Sequence, residues 1–249
     1  MDCREVTDRI TTWMSERARE AGSDGFVVGL SGGIDSSVVL ALAARAMPSR
    51  VVGVIMPCES EELDRQHALI AAEGLPADVE TVRLDETYHR LLKELPDEGD
   101  RMARANIKAR LRMAGVYFFA NARNYLVAGT GNRSELVVGY YTKFGDGACD
   151  LLPIGDLLKT DVQELASFLE ISEEIISKPP SAGLWPGQTD EQELGMEYST
   201  IDEIIRARDE NRDSGVAPEA VEKLRRMEKA SHHKRTTPPV CEIPAEVRA

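Results

Sequence analysis

The chain has 249 residues, of which 42% are hydrophobic and 29% charged, and its formal net charge is −13. That length can bury a substantial core, whereas the negative charge argues against a surface that coats nucleic acid, which needs clustered Lys and Arg. No apolar run approaches the roughly 18 residues of a membrane span, and the four cysteines lack the paired spacing of a zinc ribbon or a disulfide framework. The charged, amphipathic N-terminus does not match a signal peptide, so we expect a cytoplasmic protein with no membrane partner.

Short apolar runs, typical of strands buried on both faces, alternate with segments of helical periodicity. In chain order, the predicted elements are a helix over 1–21, a strand over Phe26–Leu30, a helix over 34–46, a strand over Val51–Met56, a helix over 61–73, a strand over Val79–Leu84, helices over 85–95 and 101–123, a strand over Tyr125–Thr130, and helices over 161–169, 200–208 and 218–231. Thr189 and Gln192 have capping-box spacing, which predicts a further short helix.

This alternation implies an α/β fold with a doubly wound, mostly parallel sheet and helices on both faces. The sequence contains no internal repeat and no clear linker. We therefore interpret residues 1–249 as a single domain.

The first strand is followed by a glycine- and serine-rich turn, Ser31-Gly32-Gly33-Ile34-Asp35-Ser36-Ser37. Glycines let a backbone approach a phosphate closely, and helix N-termini and hydroxyls at this position can donate to its oxygens. The turn has no lysine of the Walker type, and a bare carboxylate beside phosphate is repulsive. Asp35 therefore predicts a divalent cation, Mg²⁺, although a tight turn with an acid in the first helical turn would give the same pattern.

A second turn, Gly129-Thr130-Gly131-Asn132-Arg133-Ser134-Glu135, also follows a predicted strand. A cation that bridges phosphates needs carboxylates from separate strand ends, so Glu135 is the natural partner of Asp35. The alternative is that Glu135 is a solvated acid at the start of a helix, with no role in binding.

The string SGGxDS resembles the pyrophosphatase loop of the N-type ATP pyrophosphatases. With GTGNRSE, YYTKFGDGACDLLPIGDLLKT, KARLRM at Lys108–Met113, LWPGQTDEQELG and HHKR at 232–235, in this order, the chain resembles ammonia-dependent NAD synthetases. The resemblance implies an adenine-nucleotide α-hydrolase-like fold. It also implies amidation of deamido-NAD by ammonia, which consumes ATP and gives NAD, AMP and pyrophosphate through an adenylated intermediate.

The resemblance also assigns roles to individual positions. The ATP-contacting positions would be Gly29, Leu30, Ser31, Gly32, Gly33, Ile34, Asp35, Ser36, Thr130, Lys159 and Ser181. The positions that hold deamido-NAD would be Arg110, Lys143, Asp150, His233 and Lys234. The Mg²⁺ ligands would be Asp35 and Glu135. Two residues would be catalytic: Lys159 neutralises the leaving pyrophosphate, and Asp146 binds ammonium and accepts its proton.

Several of these residues have alternative interpretations. Arg110 offers a bidentate fork for phosphate or carboxylate, but without the resemblance a surface arginine is the favoured interpretation. The aromatic residues Tyr117, Tyr140, Tyr141 and Phe144 could stack on a substrate ring or pack in the core. The turn after Met56-Pro57 reads Cys58-Glu59-Ser60, where the resembling family has a serine-rich turn, so contacts there are open.

Partners follow from the same resemblance. We expect a homodimer, with the helix over 101–123 either at the interface or covering the sheet. The chain has no room for a glutaminase with its Cys nucleophile, which implies free ammonia or ammonia supplied by a separate protein. Two rival readings stay open: another ATP pyrophosphatase of the GMP synthetase core type, and a nucleotide-binding regulator without turnover.

Overall fold

A computed structural model describes residues 1–185 and 187–248 of the chain. Its sheet has four parallel strands: β1 (Gly25–Leu30), β2 (Val51–Ile55), β3 (Asp78–Thr81) and β4 (Tyr125–Val127). Their order is β3-β2-β1-β4, and the central strand pairs Phe26 with Val51 on one side and with Leu126 on the other. An isolated parallel bridge between Ala128 and Leu151 extends the pairing beyond β4.

Helices occupy the connections between the strands and the C-terminal part of the chain. In chain order they are α1 (Cys3–Glu20), α2 (Ile34–Ala46), α3 (Glu62–Ala72), α4 (Asp85–Glu94), α5 (Arg101–Arg123), α6 (Arg133–Val138), α7 (Lys159–Phe168), α8 (Glu173–Ile176), α9 (Asp190–Leu194), α10 (Tyr198–Asp209), α11 (Pro218–Ala230) and α12 (His232–Arg235), followed by a 3₁₀ turn at Ala245–Val247. No helix in the described ranges is both long enough and apolar enough to cross a bilayer.

Two hydrophobic layers enclose the sheet because successive residues of β1 point to opposite faces. Phe26 and Val28 pack with α1, α2 and α7, whereas Val27 packs against Val116 of α5 and Tyr88 of α4. A third, smaller cluster joins α10 and α11 to α6. The predicted doubly wound α/β architecture is confirmed.

The four predicted strands are confirmed: β1 begins one residue earlier than predicted, and the other three are shorter. The strand predicted over Val79–Leu84 ends at Thr81, although the chain keeps running beside β2 through hydrogen bonds from Val82 N to Ile55 O and from Leu84 N to Pro57 O. The sequence analysis missed α6, α8 and α12, which have only four to six residues and so show little periodicity. The helix expected after Thr189 exists, but the Thr189 side chain makes no capping hydrogen bond.

Candidate active site

The glycine-rich turn lies where β1 ends and α2 begins, at the carboxyl edge of the sheet. Gly32 has φ of +78°, and a Cβ there would lie 2.1 Å from the Asp64 carbonyl oxygen of α3. Both the left-handed backbone and this close approach require glycine. Gly33 is the N-cap residue of α2 and has no side chain to cap the helix, which leaves N–H groups of the first turn for a ligand.

The hydroxyl groups of the turn bond to the turn itself. Ser36 Oγ and Ser37 Oγ each donate to the Gly33 carbonyl oxygen at 2.9 Å. The Gly33 N–H donates to Ser31 Oγ at 3.2 Å, and Ser31 Oγ lies 3.1 Å from Ser36 Oγ. These bonds fix the loop geometry, so a phosphate would meet a preformed cradle.

Two carboxylates and one lysine converge beside this turn. Lys159, the first residue of α7 and 2% exposed, places Nζ 2.5 Å from Asp35 Oδ2 and 3.6 Å from Glu135 Oε1. Asp35 Oδ1 accepts a hydrogen bond from Asn132 Nδ2 at 2.9 Å. Glu135 and Asn132 cap α6 reciprocally, which fixes the Glu135 side chain at the edge of β4.

The cluster carries surplus negative charge. Burial removes water from the Glu135 carboxyl and the Asp35 carboxylate repels it, so the pKa of Glu135 rises to about 8. Burial lowers the pKa of Lys159, but Asp35 and Glu135 outweigh that effect and the pKa is raised overall. One stable ammonium therefore faces two acids, and the Glu135 side chain keeps only 17% of its surface exposed.

Asp190 adds a third acid to these surroundings that the sequence analysis did not select. It is 4% exposed, its Oδ2 accepts from Tyr198 OH at 3.2 Å, and its Oδ1 has no hydrogen-bond partner among the residues that the structure describes. Its charge acts on Lys159 and Glu135. Within the described residues, however, no group of three or more His, Cys, Asp or Glu side chains lies close enough to hold a metal ion by itself.

A second group of predicted residues meets at the turn that follows α6. Lys143 Nζ donates to the His233 carbonyl oxygen at 2.5 Å, and Arg110 donates to the Lys143 carbonyl oxygen at 3.4 Å. Lys234 Nζ donates to the carbonyl oxygens of Gly139 and Tyr141, each at 2.7 Å. The structure thus brings four of the five residues predicted to bind deamido-NAD together near the turn that follows α6.

Asp146 lies in the same turn and is exposed to solvent, yet protein atoms crowd it from the sides. This desolvation raises the pKa of its carboxyl, against the opposing effect of hydrogen bonds from Thr142, whose N–H donates to Oδ1 at 2.9 Å. Lys234 is the nearby cation that acts on it. An accessible carboxylate can bind a small cation.

Arg235 is a residue of this region that the sequence analysis missed. Its guanidinium donates to the carbonyl oxygens of Leu136 and Val137 at the C-terminus of α6 and to Glu228 O. It thereby holds α12, which carries His233 and Lys234, against α6. The sequence signal for this contact was the position of Arg235 in the basic HHKR block. A cation can bind the free carbonyl oxygens at a helix C-terminus.

Asp150 lies apart from that group. Its Oδ2 accepts from Val127 N at 2.7 Å and its Oδ1 from Tyr117 OH at 3.2 Å. Asp150 lines a cavity of about 650 Å³, which is also lined by Trp13 and Arg17 of α1. The phosphate turn does not line this cavity.

Thr130 and Ser181 are two further positions that were predicted to contact ATP. Thr130 follows β4 and is half-buried, and Ser181 is exposed in the loop before α9. Among the aromatic candidates, Tyr140 and Tyr117 pack beside core clusters, whereas Phe144 is 58% exposed. Phe144 is therefore the ring among them that is most open to a ligand.

The family of the chain is shown by its similarity to known proteins. The family model for NAD synthase matches residues 6–238. The chain is 48% identical over 240 residues to the NH₃-dependent NAD⁺ synthetase of Carboxydothermus hydrogenoformans, which covers 95% of this chain and 96% of that protein. It is 45% identical to the NH₃-dependent NAD⁺ synthetase of Archaeoglobus fulgidus over 98% of both chains.

Two solved structures are also similar to this chain. The structure of NMN synthetase from Francisella tularensis has a TM-score of 0.90 and 36% identity, covering 98% of this chain and 100% of that one. The NH₃-dependent NAD synthetase from Campylobacter jejuni has a TM-score of 0.84 and 29% identity, covering 97% and 100%. The chain therefore belongs to the NAD synthase family, whose curated relatives named above are ligases.

Proposed function

We propose that this protein catalyses the ATP-dependent amidation of deamido-NAD by ammonia, which yields NAD, AMP and pyrophosphate. The observation that carries the proposal is the cluster of Asp35, Glu135 and Lys159 beside a glycine turn that needs glycine to form. Family membership makes the reaction the expected one, and the cluster supplies charges suited to phosphoryl chemistry.

Mg²⁺ is part of this proposal, with Asp35 and Glu135 as its protein ligands. The two carboxylates come from α2 and α6 and share one ammonium, so they leave an excess of negative charge. Burial and the charge of Asp35 raise the pKa of Glu135 even though Lys159 lies beside both acids. A hard divalent ion bound by oxygen ligands would neutralise phosphate charge there.

In the proposed first step, an oxygen of the nicotinate carboxylate attacks the α-phosphorus of ATP, and pyrophosphate leaves. Residues 31–33 and the first turn of α2 would hold the phosphates through backbone N–H groups. Lys159 would place a permanent positive charge beside the leaving group. This step depends mainly on positioning and charge stabilisation.

In the proposed second step, ammonia attacks the carbonyl carbon of the adenylated intermediate and AMP leaves. Ammonium must first lose a proton, and Asp146 would bind the cation and accept that proton. Arg110, Lys143, His233 and Lys234 would hold the acceptor nucleotide, with Lys234 already using two of its three donors on carbonyl oxygens.

Nicotinate mononucleotide is a second candidate acceptor, because the similar structure from Francisella tularensis is an NMN synthetase. Both acceptors carry the same reacting carboxylate, so the phosphate turn and the acid cluster would serve either one. The two differ only in the adenylate half of the dinucleotide.

A homodimer and a cytoplasmic location complete the proposal. The long helix α5 presents Phe118 with 68% of its surface exposed and Met102 with 46%, which suits a contact with a second copy.

The experiment is to incubate the protein with ATP, Mg²⁺ and ammonium together with deamido-NAD, nicotinate mononucleotide or xanthosine monophosphate, one acceptor at a time. We expect pyrophosphate, AMP and NAD to form in equal amounts with deamido-NAD, and little product when glutamine replaces ammonium. Asp35→Asn should abolish pyrophosphate release. Release driven by xanthosine monophosphate alone would favour the GMP synthetase reading, and ATP binding without release would favour a regulator.

A further inference from the structure

Lys108 of α5 is a buried lysine that has no role in the proposed mechanism. Its side chain is 5% exposed, and Nζ lies 2.7 Å from Glu59 Oε2 and 2.8 Å from the Leu184 carbonyl oxygen. The ammonium also lies 5.2 Å from the centre of the Tyr88 ring. Since a buried ammonium is costly without partners, these contacts define its position tightly.

Glu59 is the acid in the turn that departs from the serine-rich pattern. Its φ is +50°, a left-handed conformation uncommon for residues other than glycine, and its N–H donates to Asp85 Oδ1 at 2.7 Å. The hydrogen bond from Lys108 lowers the pKa of the Glu59 carboxyl despite partial burial, and His89 lies 2.8 Å from the other oxygen. Glu59 is thus a fixed anion for Lys108.

The Leu184 carbonyl belongs to the loop over 180–185, whose first residue accepts a hydrogen bond of 3.0 Å from Asp190 N at the Pro180 carbonyl oxygen. Inside the loop, Leu184 N donates to Gln188 Oε1 at 2.8 Å, and Gly183 N donates to Ser181 Oγ at 3.1 Å. These bonds tie the Ser181 hydroxyl to the segment that Lys108 holds.

The same loop is attached next to the phosphate turn. Lys178, just before the loop, forms an ion pair with Asp64, whose carbonyl oxygen packs on Gly32. Arg101 of α5 stacks on the Trp185 ring at 4.0 Å. The loop is therefore held from α3 at its base and from α5 near its tip.

We infer that Lys108, anchored by Glu59, is a positioning residue for ATP: it holds the loop over 180–185 so that Ser181 faces the phosphate turn. This inference rests on the proposed function, in which Ser181 contacts ATP. Lys108 acts through the Leu184 carbonyl and touches no reacting atom. Substitution of Lys108 should therefore weaken ATP binding and leave the rate of the amidation step nearly unchanged.

The first test measures the loop without substrates, by hydrogen exchange of the amides of residues 183–185. A hydrogen bond to a charged group is strong enough that its loss should raise loop opening about 10- to 100-fold in Lys108→Met. Glu59→Gln, which keeps the shape and removes the anchoring charge, should give a smaller rise. Lys93→Met, at an exposed lysine of α4, is the matched control and should change nothing.

The second test measures steady-state amidation with deamido-NAD. In Lys108→Met, KM for ATP should rise about 5- to 10-fold because a smaller fraction of the protein is competent to bind. KM for ammonium should stay constant and kcat should stay within about threefold. In a double-mutant cycle, Lys108→Met with Glu59→Gln should lose no more than Lys108→Met alone.

Unchanged exchange in residues 183–185 would overturn the inference, as would an equal rise of KM for ATP and for ammonium. Because exchange is measured on the free protein, it stays informative if the amidation assay fails. Failure of the proposed function and failure of this positioning role are thus distinguishable. Glu59→Gln provides the same readouts if Lys108→Met does not fold.

Discussion

Glu135→Gln should make the protein more stable and less active at the same time. In the free protein the pKa of Glu135 is about 8, against an ordinary value of 4.5. A difference of about 3.5 units corresponds to about 5 kcal/mol against folding once both states are ionised, at roughly 1.4 kcal/mol per unit. Since the side chain keeps 17% of its surface exposed, we expect a realised gain of about 2–4 kcal/mol.

The sign of this stability difference follows from how each state binds protons as pH changes. A raised folded-state pKa means that stability is fully present below pH 4.5 and is lost as pH rises through about 8. Glutamine imitates the protonated acid and can still accept the Asn132 N–H, so the variant avoids that loss. Its advantage should be largest above pH 8 and nearly absent at pH 4.5.

The assay is thermal unfolding in Mg²⁺-free buffer at pH 4.5, 7 and 8.5. A gain of 2–4 kcal/mol should raise Tm by about 5–10 °C at pH 8.5 for a chain of this size. Glu219→Gln, at an exposed acid in the first turn of α11, makes the same chemical change and should stay within about 0.5 kcal/mol of wild type. A Glu135→Gln variant no more stable than wild type at pH 8.5 would refute the charge reasoning.

Three further outcomes are expected. Gly32→Ala should lower Tm by several degrees and raise KM for ATP, since its methyl would meet the Asp64 carbonyl at φ of +78°; unaltered ATP kinetics would contradict this. Lys159→Met should reduce pyrophosphate release by about 10²- to 10³-fold, as for loss of one transition-state charge partner, measured by single-turnover release. Asp146→Asn should raise KM for ammonium while ATP–pyrophosphate exchange continues; if ammonium saturation and rate are unchanged, Asp146 is not the ammonium site.

The phosphate turn could be predicted from the sequence because the hydrogen bonds among its serines and glycines are local. Ser31, Gly33 and Ser36 bond to one another within five residues, so the string itself contains the geometry. The strand runs were equally readable because a strand buried on both faces is continuously apolar. Glu135 was selected because it follows a second predicted strand, from which a carboxylate could share a cation with Asp35.

The tertiary structure alone decided which of these groups meet. Asn132 and Lys159 reach Asp35 across 97 and 124 residues of chain, because the strand order puts β4 beside β1 and α7 packs against α2. No periodicity encodes such a pairing. The buried acid Asp190 and the link from Lys108 to Leu184 depend in the same way on helices and loops brought together by packing.

By itself, the sequence determined the alternation of strands and helices, the turn that can hold phosphate and the family resemblance, since these follow from neighbouring residues and their order. Folding determined the charge balance of the site. Burial and the charge of Asp35 raise the pKa of Glu135, and the nearby ammonium of Lys159 opposes that rise. Such shifts depend on distance and desolvation, which exist only after the chain has folded.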